Sequence, residues 1–168
     1  MGMTTHFTML TKMNLLNITF NYQSTDPKDM AGIFIHRQWQ SLSQMGWDIK
    51  VINPQPLLYR RYKGRAQYYP QFSLQDNIPT YRPLFPYTMV LKSEKIYDKI
   101  YSTAVQRALA SLDVGWEPDI IIADFIVPSG PAAVAVTKKK FDAPIVMRAH
   151  GIDVWTILDR IESEKYVE

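Results

Sequence analysis

Four short apolar runs, separated by segments of helical periodicity, constrain the fold of this chain more than any other feature of its sequence. Runs of this length indicate buried strands rather than helices, and mostly apolar strands are typical of parallel sheets that are covered on both faces. The runs cover residues 14–20, 48–53, 118–124 and 144–149. We therefore predict an α/β fold in which helices flank an open parallel sheet.

The intervening segments carry the helical pattern. Ile35, Trp39 and Leu42 recur on one face of a helix that begins near Ile33, and Gly46 stands where a left-handed C-terminal cap belongs. The other predicted elements are a short strand near residues 78–82, a helix over residues 94–112, a helix that begins at residues 129–131, and a last helix from residue 154.

The charge of the chain is polarised, although the net charge is only +3. Residues 1–112 carry 13 Lys and Arg against 6 Asp and Glu, whereas residues 113–168 carry 6 against 10. Much of the basic excess lies in the segment 57–65, whose charged members are Arg60, Arg61, Lys63 and Arg65. This segment is either a solvated loop or a surface for an anionic acceptor or an anionic membrane.

The absence of cysteine excludes disulfides, thiolate nucleophiles and Cys-based zinc sites, and it favours a reducing compartment. No apolar run approaches the roughly 18 residues that a membrane-spanning helix needs, and the first residues lack the pattern of a secretory signal. We predict a cytoplasmic protein, with peripheral contact at the inner face of the membrane if the basic segment binds anionic lipid.

Open α/β sheets bind ligands outside the carboxyl ends of their strands. Three loops follow the predicted strands at that edge: residues 21–32, the turn after Asp124, and residues 150–153. Gly32 stands at the mouth of a helix, where it either lets backbone N–H groups approach a phosphate or simply forms a turn.

The last of these loops contains the strongest candidate side chain. His150 leaves a buried strand beside Gly151, and it either offers a donor or acceptor to a polar ligand or is a structural histidine. Asp153 either accepts hydrogen bonds from a hydroxylated ligand or caps the next helix. Asp124 and Arg148 flank the same edge, where they either serve a ligand or pair with each other.

The remaining histidines receive no function. His6 lies in the segment before the first strand, and His36 is predicted on the polar side of the first helix. No Ser-His-Asp spacing, H-E-x-x-H sequence or phosphate-binding loop motif is found.

Several segments occur in an order that is characteristic of one family. An Ala31-Gly32 loop opens a helix whose end leads into a strand across residues 42–51, and the strands at 118–124 and at 144–153 follow. Together these segments resemble the N-terminal domain of GT-B glycosyltransferases of family four. The resemblance implies a Rossmann-like domain over residues 14–158, an extension at 1–13 and a charged tail at 159–168, with the family's remaining strands and C-terminal domain absent.

The resemblance also implies an activity. Members of the family transfer a sugar, with retention, from a nucleotide sugar to a hydroxyl acceptor, and they need no metal or further cofactor. The acceptor, a sugar or a lipid-linked acceptor, is held by the N-terminal domain. The missing C-terminal domain would hold the nucleotide and the diphosphate.

Site residues carry over by position. His150 matches the histidine that contacts the transferred sugar, within a His-Gly phrase that includes Gly151. Asp153 matches the acidic position that follows. Ala31 and Gly32 match a glycine pair near the donor, the first glycine being alanine here, whereas Asp124 replaces a histidine common in relatives and receives no role.

Two consequences and two alternatives follow from the resemblance. The isolated chain is expected to bind nucleotide sugar weakly and to lack turnover, and an exposed sheet edge is expected to favour self-association. The alternative function is a stand-alone α/β module that binds a nucleotide or another anion without catalysis. Nucleic-acid binding through the basic segment is not expected, because no nucleic-acid motif is recognised.

Overall fold

The computed structural model describes residues 12–26, 28–57, 68–86, 94–137, 140–151, 153–155 and 158. The strands are β1 (Asn14–Thr19), β2 (Asp48–Ile52), β3 (Gln55–Pro56), β4 (Phe72–Gln75), β5 (Ile78–Tyr81), β6 (Leu84–Phe85), β7 (Ile120–Asp124) and β8 (Ile145–Arg148). The helices are α1 (Ile33–Gln44), α2 (Glu94–Leu109) and α3 (Ile126–Thr137).

Six strands form one sheet in the order β4-β5-β2-β1-β7-β8. Neighbouring strands are parallel except for the antiparallel pair β4 and β5. Strands β3 and β6 form a separate parallel pair. The predicted α/β fold, with a mostly parallel, Rossmann-like open sheet between helices, is confirmed.

Both faces of the sheet are covered, so most residues of its central strands are buried, including the polar residues Asn17, Thr19 and Lys50. On one face, Leu15 belongs to a buried cluster with Trp39 of α1. On the other face, Leu16 and Ile18 belong to a cluster with Ala104 of α2 and with residues of α3. Because successive side chains of a strand point to opposite faces, β1 needs apolar residues at both sets of positions.

The predicted boundaries agree with most of the observed elements. The helix predicted over 94–112 ends at Leu109, and the third helix becomes regular after Val127, whose φ of −123° and ψ of 131° are not helical. Gly46 has the positive φ, 95°, that was expected after α1. No helix within the described ranges is both long and apolar enough to cross a membrane.

The sequence pattern missed the hairpin of β4 and β5. Only a strand near residues 78–82 was predicted, whereas the structure pairs Phe72–Gln75 with Ile78–Tyr81. Asp76 and Asn77 join the two strands with φ values of 47° and 65°, the left-handed backbone of a two-residue hairpin turn. Phe72 and Leu74 of β4 are exposed, so this strand lacks the buried alternation by which strands are recognised.

Candidate functional site

The strand order reverses between β1 and β7, and the candidate site lies at the carboxyl ends of these strands. Thr19 ends β1 opposite Asp124 of β7, and Asp124 lies opposite Arg148, which ends β8. In open α/β sheets, a ligand crevice opens at such a reversal. The sheet therefore brings the ends of β1, β7 and β8 to a common edge, as the sequence predicted.

Asp124 is the centre of the hydrogen-bond network at this edge. Its side chain is fully buried, and Oδ1 accepts hydrogen bonds from Nε2 of His150, at 2.7 Å, and from Nε of Arg148. Oδ2 accepts a hydrogen bond from Nδ2 of Asn17, at 2.7 Å. A buried carboxylate requires such partners, because an unpaired charge is costly away from water. Of the two alternatives for Asp124 and Arg148, the structure shows the ion pair.

Arg148 extends the network to the first helix. Its Nη1 donates a hydrogen bond to Oε1 of Gln38, and its guanidinium carbon lies 4.9 Å from the centroid of the Trp39 ring. A guanidinium over an aromatic face is attracted by the ring quadrupole. The end of β8 is thereby fastened to α1 as well as to β7.

His150 is held in one orientation. Because Nε2 donates to the Asp124 carboxylate, Nε2 carries the proton of the neutral ring and Nδ1 is left as an acceptor. The ring centroid lies 5.1 Å from that of Phe34 and 4.5 Å from that of Phe125. The side chain is 14% exposed, so a fixed imidazole reaches the surface at the carboxyl ends of the strands.

Phe125 links His150 to the loop that follows β1. It has a left-handed backbone with φ of 69°, and its N–H donates to the carbonyl oxygen of Arg148 at 2.9 Å. Its ring meets Phe20 edge to face, with centroids 4.6 Å apart. A continuous row of rings therefore runs from Phe20 through Phe125 to His150.

Asp153 is buried and braces the main chain around this network. Oδ2 accepts the N–H of Ile126 at 2.6 Å, and Oδ1 accepts the N–H of His150 at 2.9 Å. Burial by itself raises the pKa of Asp153, but the hydrogen bonds from Ile126, His150 and neighbouring backbone N–H groups outweigh it, and the pKa is lowered. Asp153 thus ties the turn after β7 to the segment that carries His150.

Replacing Asp153 by asparagine is expected to lower the free energy of unfolding by about 1–3 kcal/mol at neutral pH, because one of two partly buried N–H groups loses its charged acceptor. The pKa of Asp153 is lower in the folded chain, so its stabilising contribution is complete above the unfolded-state pKa near 4. That contribution is lost as the pH falls through the lower, folded-state pKa.

Urea denaturation of the wild-type chain and of Asp153→Asn at several pH values checks this expectation. The difference in the free energy of unfolding should be greatest near neutral pH and should shrink in acid. A difference that stays constant below pH 4, or grows there, contradicts the assigned hydrogen bonds.

Ala31 and Gly32 lie in different surroundings, although they are adjacent. Ala31 is exposed and lines a cavity beside β1. Gly32 is buried, has a φ of 68°, and would place a Cβ atom 2.7 Å from the Cα atom of Tyr22. The close approach at Gly32 is therefore to the main chain of this protein.

The prediction that His36 lies on the polar side of α1 is wrong. His36 is 5% exposed; its Nδ1 pairs with the hydroxyl of Tyr22 at 2.8 Å, and its Nε2 pairs with Oδ2 of Asp76 at 2.7 Å. Burial is the main reason that the pKa of Tyr22 is raised. His36 is buried because the β4–β5 turn, which the sequence did not reveal, packs over that part of the helix.

The cavity beside β1 has a volume of about 470 Å³. It opens where the chain leaves β1 and passes through β3, and its walls combine aromatic rings with side-chain amides. The lining residues are Phe20, Asn21, Tyr22, Ala31, Gln55, Pro56, Tyr69 and Tyr97.

The remaining predicted site residues are Gly151 and the charged members of the basic segment 57–65. Gly151 is exposed with a φ of 82°, and a Cβ atom there would meet nothing within 4 Å. The basic residues Arg60, Arg61, Lys63 and Arg65 lie outside the described residues, as does the tail at 159–168. Within the described ranges, no group of three or more His, Asp or Glu side chains could hold a metal ion.

The sequence did not identify most of the cavity. Phe20 and Asn21 could have been found, because they directly follow an apolar strand at the ligand-binding edge. Gln55, Tyr69 and Tyr97 come from segments of weak or unrelated periodicity, and only the tertiary fold brings them together.

The comparison with curated proteins relates the chain to a glycosyltransferase. It is 35% identical over 150 residues to TuaC of Bacillus subtilis (strain 168), a candidate teichuronic acid biosynthesis glycosyltransferase. The aligned part is 84% of this chain and 37% of TuaC, so the chain spans well under half the length of that relative. No family model matches the chain. The mixed α/β structure with its mostly parallel sheet is consistent with this relationship.

Proposed function

We propose that this chain, as a relative of a glycosyltransferase, is the acceptor-side domain of a retaining GT-B enzyme of family four. In this proposal the enzyme moves a sugar from a nucleotide sugar to a hydroxyl acceptor. The observation that carries the proposal is the 35% identity to TuaC along most of the chain. The reversal of strand order between β1 and β7 supports it, because such a reversal is where open α/β sheets bind their ligands.

His150 is the residue that we assign to the transferred sugar. Its Nε2 is committed to Asp124 at 2.7 Å, so Nδ1 of the neutral ring accepts a hydrogen bond from a sugar hydroxyl. The carboxylate of Asp124 is neutralised by Arg148. In this assignment Asp124 and Arg148 hold the imidazole in place, and a donor that approaches the crevice does not meet an unpaired carboxylate.

The glycosidic bond of the donor breaks with positive charge developing on the sugar and negative charge on the leaving diphosphate. Hydrogen-bond donors that are already in place around the leaving diphosphate stabilise its developing negative charge and lower the barrier. We assign these hydrogen-bond donors mainly to a second, C-terminal domain.

Ala31 and Gly151 are exposed and suit direct substrate contact. Gly32 and Asp153 are buried and act by shaping the loops that carry Ala31 and His150.

We also propose two further partners. The second domain would bind at the carboxyl ends of the strands. The basic segment 57–65 would bind an anionic lipid surface at the inner, cytoplasmic face of the membrane. Strand β8 ends the described sheet, with Val146 and Met147 exposed. This edge is the surface that we expect to mediate self-association.

The transfer proposal is tested by replacing the aligned segment of TuaC with the matching residues of this chain. We expect the chimera to release nucleoside diphosphate from one of a panel of UDP- and GDP-sugars when acceptor is present. His150→Ala should lower this rate by about 100-fold, since the loss of one positioned hydrogen-bonding group at a reacting centre costs about that much. The exposed control Asp142→Ala should leave the rate unchanged.

The purified chain by itself should show neither turnover nor tight binding of nucleotide sugars. Turnover by the isolated chain, or a folded chimera without transfer, would contradict the proposal. Tight nucleotide binding by the isolated chain, without transfer by the chimera, would instead support the non-catalytic nucleotide- or anion-binding module.

A further inference from the structure

Strand β4 forms one edge of the sheet that the structure describes, because it pairs with β5 on one side only. Its sequence, Phe-Ser-Leu-Gln, contains no charge and no proline, and its register with β5 runs without a bulge. Natural edge strands usually carry a charge, a proline or a bulge that keeps other strands from pairing with them. Strand β4 has none of these protections.

The main-chain groups of Phe72 and Leu74 point to the open side of β4. The N–H of Arg82 donates to the carbonyl oxygen of Gln71 at 2.7 Å, and the register places these two residues opposite each other. In antiparallel pairs, opposite residues alternate between hydrogen-bonded and non-hydrogen-bonded positions. Phe72 and Leu74 therefore occupy non-hydrogen-bonded positions toward β5, and their N–H and C=O groups are directed outward.

The residues opposite them in β5 agree with this assignment. Tyr81, opposite Phe72, uses its carbonyl oxygen to accept the N–H of Asn53 at 2.8 Å, on the side away from β4. Pro79, opposite Leu74, has no N–H to donate. The outward groups of β4 are thus left for a further strand.

The side chains of Phe72 and Leu74 form an apolar face beside this edge. The two residues are 54% and 60% exposed. They share one face of the sheet with Pro79 and Tyr81, since residues directly opposite in a pair lie on the same face. The rings of Phe72 and Tyr81 are in contact, with centroids 5.2 Å apart. An added strand would therefore gain both main-chain hydrogen bonds and apolar contacts.

We propose that β4 pairs with β4 of a second copy of this chain, antiparallel and about a two-fold axis at Ser73. This register places Phe72 of each copy opposite Leu74 of the other, where their outward N–H and C=O groups bond reciprocally. Opposite residues share a face, so the Phe and Leu side chains also pack across the interface. The two described sheets of six strands become one continuous sheet.

The charges and the symmetry of the edge favour a second copy as the partner. An unrelated strand would need its own apolar residues in the same alternation, whereas a second copy supplies them through the two-fold axis. Asp76 would lie opposite Pro70 of the second copy, and its carboxylate is paired with His36 at 2.7 Å. The two Asp76 residues would lie roughly 20 Å apart, which is well beyond the Debye length of about 8 Å at physiological salt.

The surface shared by the two copies is small, because each β4 strand contributes four residues. Small interfaces are typical of weak, transient association. We therefore expect a dimer of the full chain with a Kd on the order of 100 µM. This inference does not depend on the proposed sugar transfer.

The first test is disulfide cross-linking of the full chain, which contains no cysteine. In the proposed register the two copies of Ser73 form a non-hydrogen-bonded pair, with Cα atoms about 4.5 Å apart, a separation that a disulfide spans. Mild oxidation of Ser73→Cys should therefore give a covalent dimer. The rate of cross-linking is followed on a non-reducing gel.

Gln75→Cys is the matched control for this variant. Ser73 and Gln75 both accept a hydrogen bond from Arg82, so the two substitutions remove similar contacts. Two residues from the axis, the copies of residue 75 would lie about 14 Å apart, beyond the roughly 7 Å limit for a disulfide. Cross-linking of Gln75→Cys should be at least about tenfold slower.

The second test is analytical ultracentrifugation of the cysteine-free chain from about 10 µM to 1 mM. Leu74→Lys, which places a charge on the edge, should raise the Kd by at least about tenfold. Val114→Lys, at a fully exposed position outside the strands, should leave it unchanged. Met147→Lys alters the opposite edge, at β8, and should also retain the β4 dimer. Thermal melts verify that each variant is folded.

The β4 pairing is wrong if the wild-type chain stays monomeric up to about 1 mM. It is equally wrong if Gln75→Cys cross-links as fast as Ser73→Cys, because the register would then differ. Loss of association in Met147→Lys but not in Leu74→Lys would assign the contact to the β8 edge instead. All of these outcomes leave transfer by the TuaC chimera untouched.

Discussion

Asp124→Ala is expected to destabilise the chain by about 3–5 kcal/mol, the usual cost of removing one member of a buried charge pair. The Asp124 side chain is fully buried, whereas the side chains of Arg148 and His150 are 25% and 14% exposed. Without the carboxylate, Nε of Arg148, Nε2 of His150 and Nδ2 of Asn17 each lose an acceptor, while Nη1 of Arg148 keeps Gln38. Urea denaturation at neutral pH measures the loss.

The exposed Asp142 gives the matched control, since Asp142→Ala should change stability by no more than about 0.5 kcal/mol. Asp124→Asn keeps the shape of the side chain, so its loss of stability should lie between those of Asp124→Ala and Asp142→Ala. If Asp124→Ala costs no more than Asp142→Ala, the network at the strand ends does not exist as described.

A second measurement separates the positioning of His150 from stability. The chain contains three histidines, so ¹⁵N NMR can identify the tautomer of each neutral ring. In the wild-type chain His150 should carry its proton on Nε2. In Asp124→Asn, if it remains folded, the ring should populate both tautomers, because the amide can accept or donate.

Gly32→Ala is expected to lower the free energy of unfolding by roughly 2–5 kcal/mol. About 1–2 kcal/mol comes from the left-handed backbone, with its φ of 68°. A further 1–3 kcal/mol, approximately, comes from overpacking, because the new Cβ would lie 2.7–2.9 Å from main-chain atoms of Tyr22. Main-chain atoms cannot move aside as a flexible side chain does.

Gly46→Ala provides the comparison for this substitution. Gly46 has a φ of 95°, and a Cβ there meets nothing within 4 Å, so the variant bears only the backbone cost of about 1–2 kcal/mol. Thermal and urea denaturation of both variants should therefore place Gly32→Ala clearly below Gly46→Ala in stability. Equal stability of the two variants would show that the Tyr22 segment is not packed against Gly32.

The sheet was predictable from the sequence because its central strands share one physical requirement, which is burial on both faces. Strands β1 and β7 are covered on both faces, so apolar residues occur at both alternating sets of positions, and that pattern is visible without a structure. The position of His150 followed from the short apolar run before it, although the structure shows that this strand, β8, ends the described sheet and has Val146 and Met147 exposed. The edge hairpin was missed because Phe72 and Leu74 of β4 are exposed.

The polar interior could not be predicted in the same way. His36 has a polar side chain, and helical periodicity alone places it toward solvent. It is buried because Tyr22 and Asp76 satisfy both ring nitrogens, and these partners come from separate loops. The pairing of Asp124 with Arg148 was one of two predicted alternatives. Its hydrogen bonds with His150 and Asn17 were not predicted, because they depend on strand register, which the spacing of residues along the chain does not reveal.

The cavity beside β1 and the hydrogen-bond network at Asp124 draw mostly on different stretches of the chain. The described residues that line the cavity end at Tyr97. Asp124, Arg148, His150 and Asp153 come later, and Asn17 and Gln38 join them from the first part of the chain. Substitutions at Gln55, Tyr69 or Tyr97 should therefore change the lining of the cavity while the imidazole of His150 keeps its hydrogen bond to Asp124. Such a division would allow the cavity to diverge by mutation under selection that leaves the hydrogen-bond network unchanged.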